Sequence, residues 1–64
     1  MRREYRDRTG LLRGWSETSF GRVNGRDRTG SLVGWYDLGR DETRDRSGRL
    51  IGQGDFLVSL IWNS

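Results

Sequence analysis

The chain has 64 residues, with 12 positive and 9 acidic side chains giving a net charge of +3, and it contains neither Cys nor His. A chain of this length is one domain, residues 1–64, that buries about 60% of the surface its unfolded form exposes, and neither disulfides nor the usual zinc ligands can reinforce it. No apolar run approaches the roughly 18 residues of a membrane span, and the opening MRREYRD has no apolar stretch behind its arginines, so the sequence reads as a soluble, cytoplasmic protein with no membrane partner.

One phrase recurs along the chain: RDRTGLLRGW from Arg6 to Trp15, RDRTGSLVGW from Arg26 to Trp35 and RDRSGRLIGQ from Arg44 to Gln53. A fixed period of this order marks an array of similar supersecondary units. Each phrase holds Asp-Arg-Thr/Ser-Gly, the pattern of a type I turn with Asp in first place and Gly in a left-handed bulge position. The expected fold is therefore all-β: three repeated hairpins, over residues 1–20, 21–40 and 41–55, in a small radial or stacked array. With ten Gly, no Ala and no sustained helical period, no helix is expected anywhere.

In the first hairpin a loop of Arg8, Thr9 and Gly10 pairs Asp7 with Leu11, Arg6 with Leu12, Tyr5 with Arg13 and Arg3 with Trp15. The second pairs Arg26 with Leu32 and Val23 with Trp35; the third pairs Arg44 with Leu50 and Thr43 with Ile51. Strict alternation then places Leu12, Gly14, Leu32, Gly34, Leu50 and Gly52 on one face, and Trp15, Trp35, Val33 and Ile51 on the other. The glycine behind each leucine marks a place where another backbone approaches closely. Acidic Glu17, Asp37 and Asp55 follow at matching offsets, then apolar Phe20, Leu38 and Phe56, before Gly-Arg connectors lead into the next unit.

The tail, residues 56–62, is the most apolar run in the chain and reads as a C-terminal strand buried on both faces. In so small a protein the covering surface is expected to be a second copy. Phe56, Leu57, Val58, Leu60, Ile61 and Trp62 are accordingly assigned to self-association in a homo-oligomer.

The phrase Asp45 to Leu50, DRSGRL, resembles the core of the bacterial tyrosine-aspartate (Rhs-type) repeat, although Arg44 stands where that class has Tyr. Val33-Gly34-Trp35 resembles the hairpin ending of the small β-flower domains, in which short hairpins are arranged radially. The resemblance implies β-hairpin repeats of bacterial or phage type, and no particular activity.

The pairs Arg6/Arg8, Arg26/Arg28 and Arg44/Arg46 are the most distinctive polar feature. They serve either an intramolecular ion-pair ladder, to Asp7, Asp27 and Asp45 or to Glu17, Asp37 and Asp55, or a converging ring that binds phosphate or a nucleic-acid backbone. Trp15 and Trp35 sit at equivalent positions and are assigned first to the core, with base stacking or a lectin-like sugar contact as alternatives. One carboxylate per unit makes a poor cation site. No catalytic residue, metal site or cofactor is assigned. The sequence thus reads as a non-enzymatic, self-associating interaction module whose ligand is another protein or its own copies, with nucleic-acid backbone binding through the arginines and lectin-like binding at the tryptophans as alternatives.

Overall fold

The computed structural model describes residues 2–63. Six antiparallel strands follow one another across a single sheet in chain order: β1 (Arg2–Arg6), β2 (Leu12–Ser19), β3 (Arg22–Asp27), β4 (Leu32–Asp37), β5 (Glu42–Asp45) and β6 (Leu50–Gln53). A short helix, α1 (Leu57–Trp62), ends the chain and lies across β2, β3 and β4. The all-β expectation holds for the sheet, and the repeated hairpins are the pairs β1–β2, β3–β4 and β5–β6.

The repeated turn forms as its residues dictate. Asp7 Oδ1 accepts from the Thr9 N–H at 2.9 Å, the Thr9 hydroxyl at 2.5 Å and the Leu11 N–H at 3.1 Å. Asp27 makes the same contacts with Thr29 and Ser31, and Asp45 with Ser47 and Arg49. Gly10, Gly30 and Gly48 close the loops at φ 85°, 90° and 90°, a region that costs Gly almost nothing. The next arginine upstream completes the motif: Arg6, Arg26 and Arg44 each donate from Nη1 to the carbonyl of that glycine, at 3.0, 2.9 and 2.7 Å.

Beyond the turn the pairing departs from strict alternation. Arg6 opposes Leu12 as expected, but Tyr5 then opposes Gly14, so Arg13 is a bulge residue. The same step recurs at Val33, where Gly25 opposes Gly34, and at Ile51, where Thr43 opposes Gly52. One extra residue in each second strand shifts every later side chain to the opposite face. The expected partners therefore slip by one: Val23 faces Tyr36 rather than Trp35, and Glu4 rather than Arg3 faces Trp15. The leucine and the glycine of each phrase end on opposite faces, the glycine side carrying the helix.

The apolar tail is a helix, not the expected strand. Leu57, Leu60 and Ile61 stand at the i, i+3, i+4 spacing of one helical face, and Leu57 and Ile61 form the buried apolar core, Ile61 with no exposed surface. The glycines make room for them. A Cβ on Gly14 would meet Ile61 Cγ2 at 2.6 Å, one on Gly34 Leu60 Cδ1 at 2.7 Å, and one on Gly52 Phe56 Cε2 at 2.9 Å. The close backbone approach read from these glycines is present at Gly14 and Gly34, whose nearest neighbours are the carbonyls of Arg26 and Arg44 on the adjoining strands, with the helix side chains next; at Gly52 the neighbour is the Phe56 ring alone.

The passage from sheet to helix is held by Thr43, which is completely buried. Its hydroxyl donates to the Gly54 carbonyl at 2.6 Å and accepts from the Phe56 N–H at 3.0 Å, while the Gly54 N–H reaches the Asp41 carbonyl at 2.7 Å. Asp55 Oδ1 accepts from the Leu57 N–H at 3.0 Å and starts the first helical turn. Among the described residues no helix is long and apolar enough to cross a membrane.

Candidate functional site: the open sheet face and the turn rim

With α1 on one face, the other is uncovered, and the bulges decide what it displays. Leu12, Leu32 and Leu50 lie opposite Arg6, Arg26 and Arg44, and Trp15 and Trp35 lie opposite Arg26 and Arg44 in the adjoining hairpin. On this face the even strands therefore carry the leucines and tryptophans, and the odd strands between them carry the arginines.

Trp15 and Trp35 are consequently not the core to which the sequence assigns them; both are half-buried on this open face. Each is capped by a guanidinium, that of Arg2 at 4.1 Å from the Trp15 ring and that of Arg22 at 4.6 Å from the Trp35 ring, a favourable cation–π placement. The Trp15 indole N–H donates to Glu17 Oε1 at 2.7 Å, and Arg26 Nε lies 3.3 Å from the same oxygen. Those contacts hold the Glu17 carboxyl below its ordinary range, the indole bond foremost and the charges of Arg26 and Arg2 next. Trp62, also expected to be buried, is exposed at the end of α1, where the Arg13 guanidinium lies 5.5 Å from its ring and bonds its carbonyl at 3.3 Å.

The six arginines of the repeated phrase separate into two sets. Arg6, Arg26 and Arg44 belong to the open face and are held locally: each binds its turn glycine and a carboxylate, Arg6 with Glu4 at 3.2 Å, Arg26 with Glu17, and Arg44 with Glu42 at 3.0 Å. Within one chain they stand on successive hairpins of a single sheet. An ion-pair ladder exists, but its carboxylates are Glu4, Glu17 and Glu42, because Asp7, Asp27 and Asp45 are taken up by their own turns. Thr9, Thr29 and Ser47 hydroxyl bonds foremost, helped by backbone N–H groups, hold those three aspartates below the ordinary carboxylate range against the opposing effect of burial, which is larger than that of any one backbone bond.

Arg8, Arg28 and Arg46 form the second set. They project, exposed, from the three turns along one end of the sheet, and none takes part in an ion pair among the described residues. Turns on alternate strand pairs stand about 10 Å apart, so this rim is a spaced row of positive charge. Of the residues assigned to self-association, Leu57 and Ile61 are buried against the chain's own sheet, Leu60 is half-buried and Phe56 lies partly exposed over Gly52, leaving Val58 and Trp62 outward. Glu17, Asp37 and Asp55 do not gather; among the described residues no three carboxylates come close enough to hold a metal ion.

Sequence reasoning missed two members of the open face, Arg2 and Arg22, which lie outside the repeated phrase. Their signal is cross-strand position: each stands two residues from, and diagonal to, the tryptophan it covers. No protein family matches the sequence, and no curated protein or solved structure is significantly similar to it.

Proposed function

We propose that this chain is a non-enzymatic interaction module that docks a protein partner on its open sheet face. The observation that carries the reading is the placement of Trp15 and Trp35 on an uncovered face, each against an arginine. Trp and Arg dominate binding energy at protein interfaces, since each buries a large contact area while keeping a polar group for a directed bond. The charge of the face argues in the same direction. Four of its five arginines, Arg2, Arg6, Arg26 and Arg44, are already paired with Glu4, Glu17 and Glu42, so most of the positive charge that would track a phosphate backbone is met within the chain. The hairpins are proposed to build their radial or stacked array from several chains, since one chain leaves β1 and β6 as sheet edges.

A peptide-display selection against the purified protein tests the docking face. Selected peptides are expected to lose binding to the Trp15→Ala/Trp35→Ala variant, with its fold checked by circular dichroism, and to keep it with Val58→Asp on the opposite side. Peptides that bind the double tryptophan variant undiminished overturn the reading.

The rim of Arg8, Arg28 and Arg46, which form no ion pair among the described residues, favours a second reading, contact with a nucleic-acid backbone. Sedimentation with a generic single-stranded oligonucleotide at two salt concentrations decides it. Binding that weakens steeply with salt and disappears on replacing those three arginines with Gln establishes the rim as the site; no co-sedimentation at either salt removes it.

A further inference from the structure

We infer that β6 of one copy pairs antiparallel with β1 of a second copy, continuing the sheet head to tail. This deepens the array reading above and is independent of what the open face binds. The argument starts from the two seams that already join hairpin to hairpin inside the chain. At the first, Gly14 opposes Asp27 and Trp15 opposes Arg26; at the second, Gly34 opposes Asp45 and Trp35 opposes Arg44. In both, the glycine of one repeat meets the turn aspartate of the next, and the following residue meets the arginine before that aspartate. The third repeat offers Gly52 and Gln53 on β6, the first offers Arg6 and Asp7 at the end of β1, and within the chain both strands are edges. Translating the seam by one unit sets Gly52 opposite Asp7 of the next copy and Gln53 opposite Arg6 of the next copy. The Val33 carbonyl accepts from the Arg46 N–H at 3.1 Å across the second seam, so the Ile51 carbonyl would accept from the N–H of Arg8.

Three further observations fit this occupant. Exposed apolar side chains collect around β6, where Leu50 is 50% exposed and Ile51 and Phe56 are each 44%. Phe56 stands over Gly52 on the helix side of the sheet, the side that Tyr5 occupies on β1 beside Ser16, so a second copy's Tyr5 would cover it. The edges are also electrostatically unlike. β1 carries Arg2, Arg3 and Arg6 against Glu4, whereas beyond β6 stands Asp55, at the repeat position from which Glu17 pairs with Arg26 at 3.3 Å. An edge crowded with arginine opposes pairing with its own kind, so the complementary joint is β6 to β1.

The seam is short, because the chain leaves the strand at Gly54 (φ 102°) to begin the helix. A contact of that size is weak and concentration-dependent. It is also heterologous, so it closes into a ring or runs on as a filament according to the rotation between copies.

The absence of native cysteine allows a direct test. Gln53→Cys and Arg6→Cys chains, mixed at concentrations in the millimolar range and oxidised, are expected to give the mixed disulfide dimer as the main product, and a chain carrying both substitutions a ladder of oligomers. The reference for random collision is Gln53→Cys mixed with Thr18→Cys, an exposed site off both edges. Cross-linking no greater than this reference overturns the inference, as does a Gln53→Cys homodimer as main product, which would mean β6 pairs with itself. If Arg6→Cys loses its fold by circular dichroism, Ile51→Cys with Arg8→Cys probes the same joint and is read in the same way. Peptide binding at the open face is measured separately, so either result stands without the other.

Discussion

Gly25 lies directly beneath Leu57: a Cβ on that glycine would stand 2.7 Å from the leucine Cδ1 and 2.9 Å from its Cγ. The glycine has an ordinary backbone conformation, so its requirement is purely for space. Gly25→Val is therefore expected to lift α1 from the sheet and cost about 1–3 kcal/mol. A lowered urea midpoint with loss of the far-ultraviolet helix signal checks this; an unchanged midpoint would show that the helix is not packed on that residue.

The two sides of α1 should respond unequally to substitution. Ile61 has no exposed surface and Val58 is exposed. Ile61→Ala is expected to cost about 2–5 kcal/mol, as for other large-to-small core changes, which in so small a domain approaches complete unfolding. Val58→Asp, on the outward side, is expected to stay within about 0.5 kcal/mol of the parent. A tail buried on both faces would make both changes severe, and thermal melts of the pair separate the two arrangements.

Phe20 occupies the first place of the two-residue loop between β2 and β3 at φ 51°, followed by Gly21 at φ 76°, and its side chain is fully exposed. Successive positive φ values are those of a type I′ turn, which favours Asn-Gly. A bulky residue in this region is strained by roughly 1–2 kcal/mol, and full exposure means that no burial offsets it. Phe20→Asn is expected to raise stability by about 1 kcal/mol. A lower melting temperature in that variant would show that the phenyl ring makes a contact that full exposure denies.

Acid should loosen the repeated turns together. Asp7, Asp27 and Asp45 have carboxyls lowered from 3.8 in the folded chain, principally by the Thr or Ser hydroxyl. A group lowered on folding contributes stability that is present above its unfolded value and is lost as pH falls through its folded value. Urea midpoints should consequently hold from neutral pH down to about 4 and fall below it. Replacing all three aspartates with Asn is expected to lower the neutral-pH midpoint and to flatten the acid limb. An acid limb as steep as the parent's would place the responsible carboxylates elsewhere, Glu17 first among them.

The residues that act within a few positions of one another were the legible ones. The aspartate, hydroxyl and glycine of each turn specify it without outside help, and the first pair beyond it, such as Arg6 with Leu12, follows. The bulges at Arg13, Val33 and Ile51 were not legible, because those positions hold a charged, a β-branched and another β-branched residue with no shared turn chemistry. That single missed residue sent Trp15 and Trp35 to the wrong face. The helix escaped for a different reason: six residues hold fewer than two turns, so Leu57, Leu60 and Ile61 are too few to reveal a period against an apolar background. The glycines did signal a close neighbour, but a missing Cβ does not say whether a strand or a leucine fills the space. Cross-strand contacts such as Arg2 over Trp15 depend on the register itself and so became visible only with it.

Every strand of this sheet pairs with its neighbour in sequence, so the hairpins can zip up one after another through short loops. α1 alone reaches back, from Leu57 to Gly25 and from Ile61 to Gly14. Closing so distant a contact waits on the sheet being in place, which makes docking of the last helical turn the clasp of the folding sequence. Until it is fastened, the glycine-lined face lies bare, and the most apolar segment of the chain is the last to leave water.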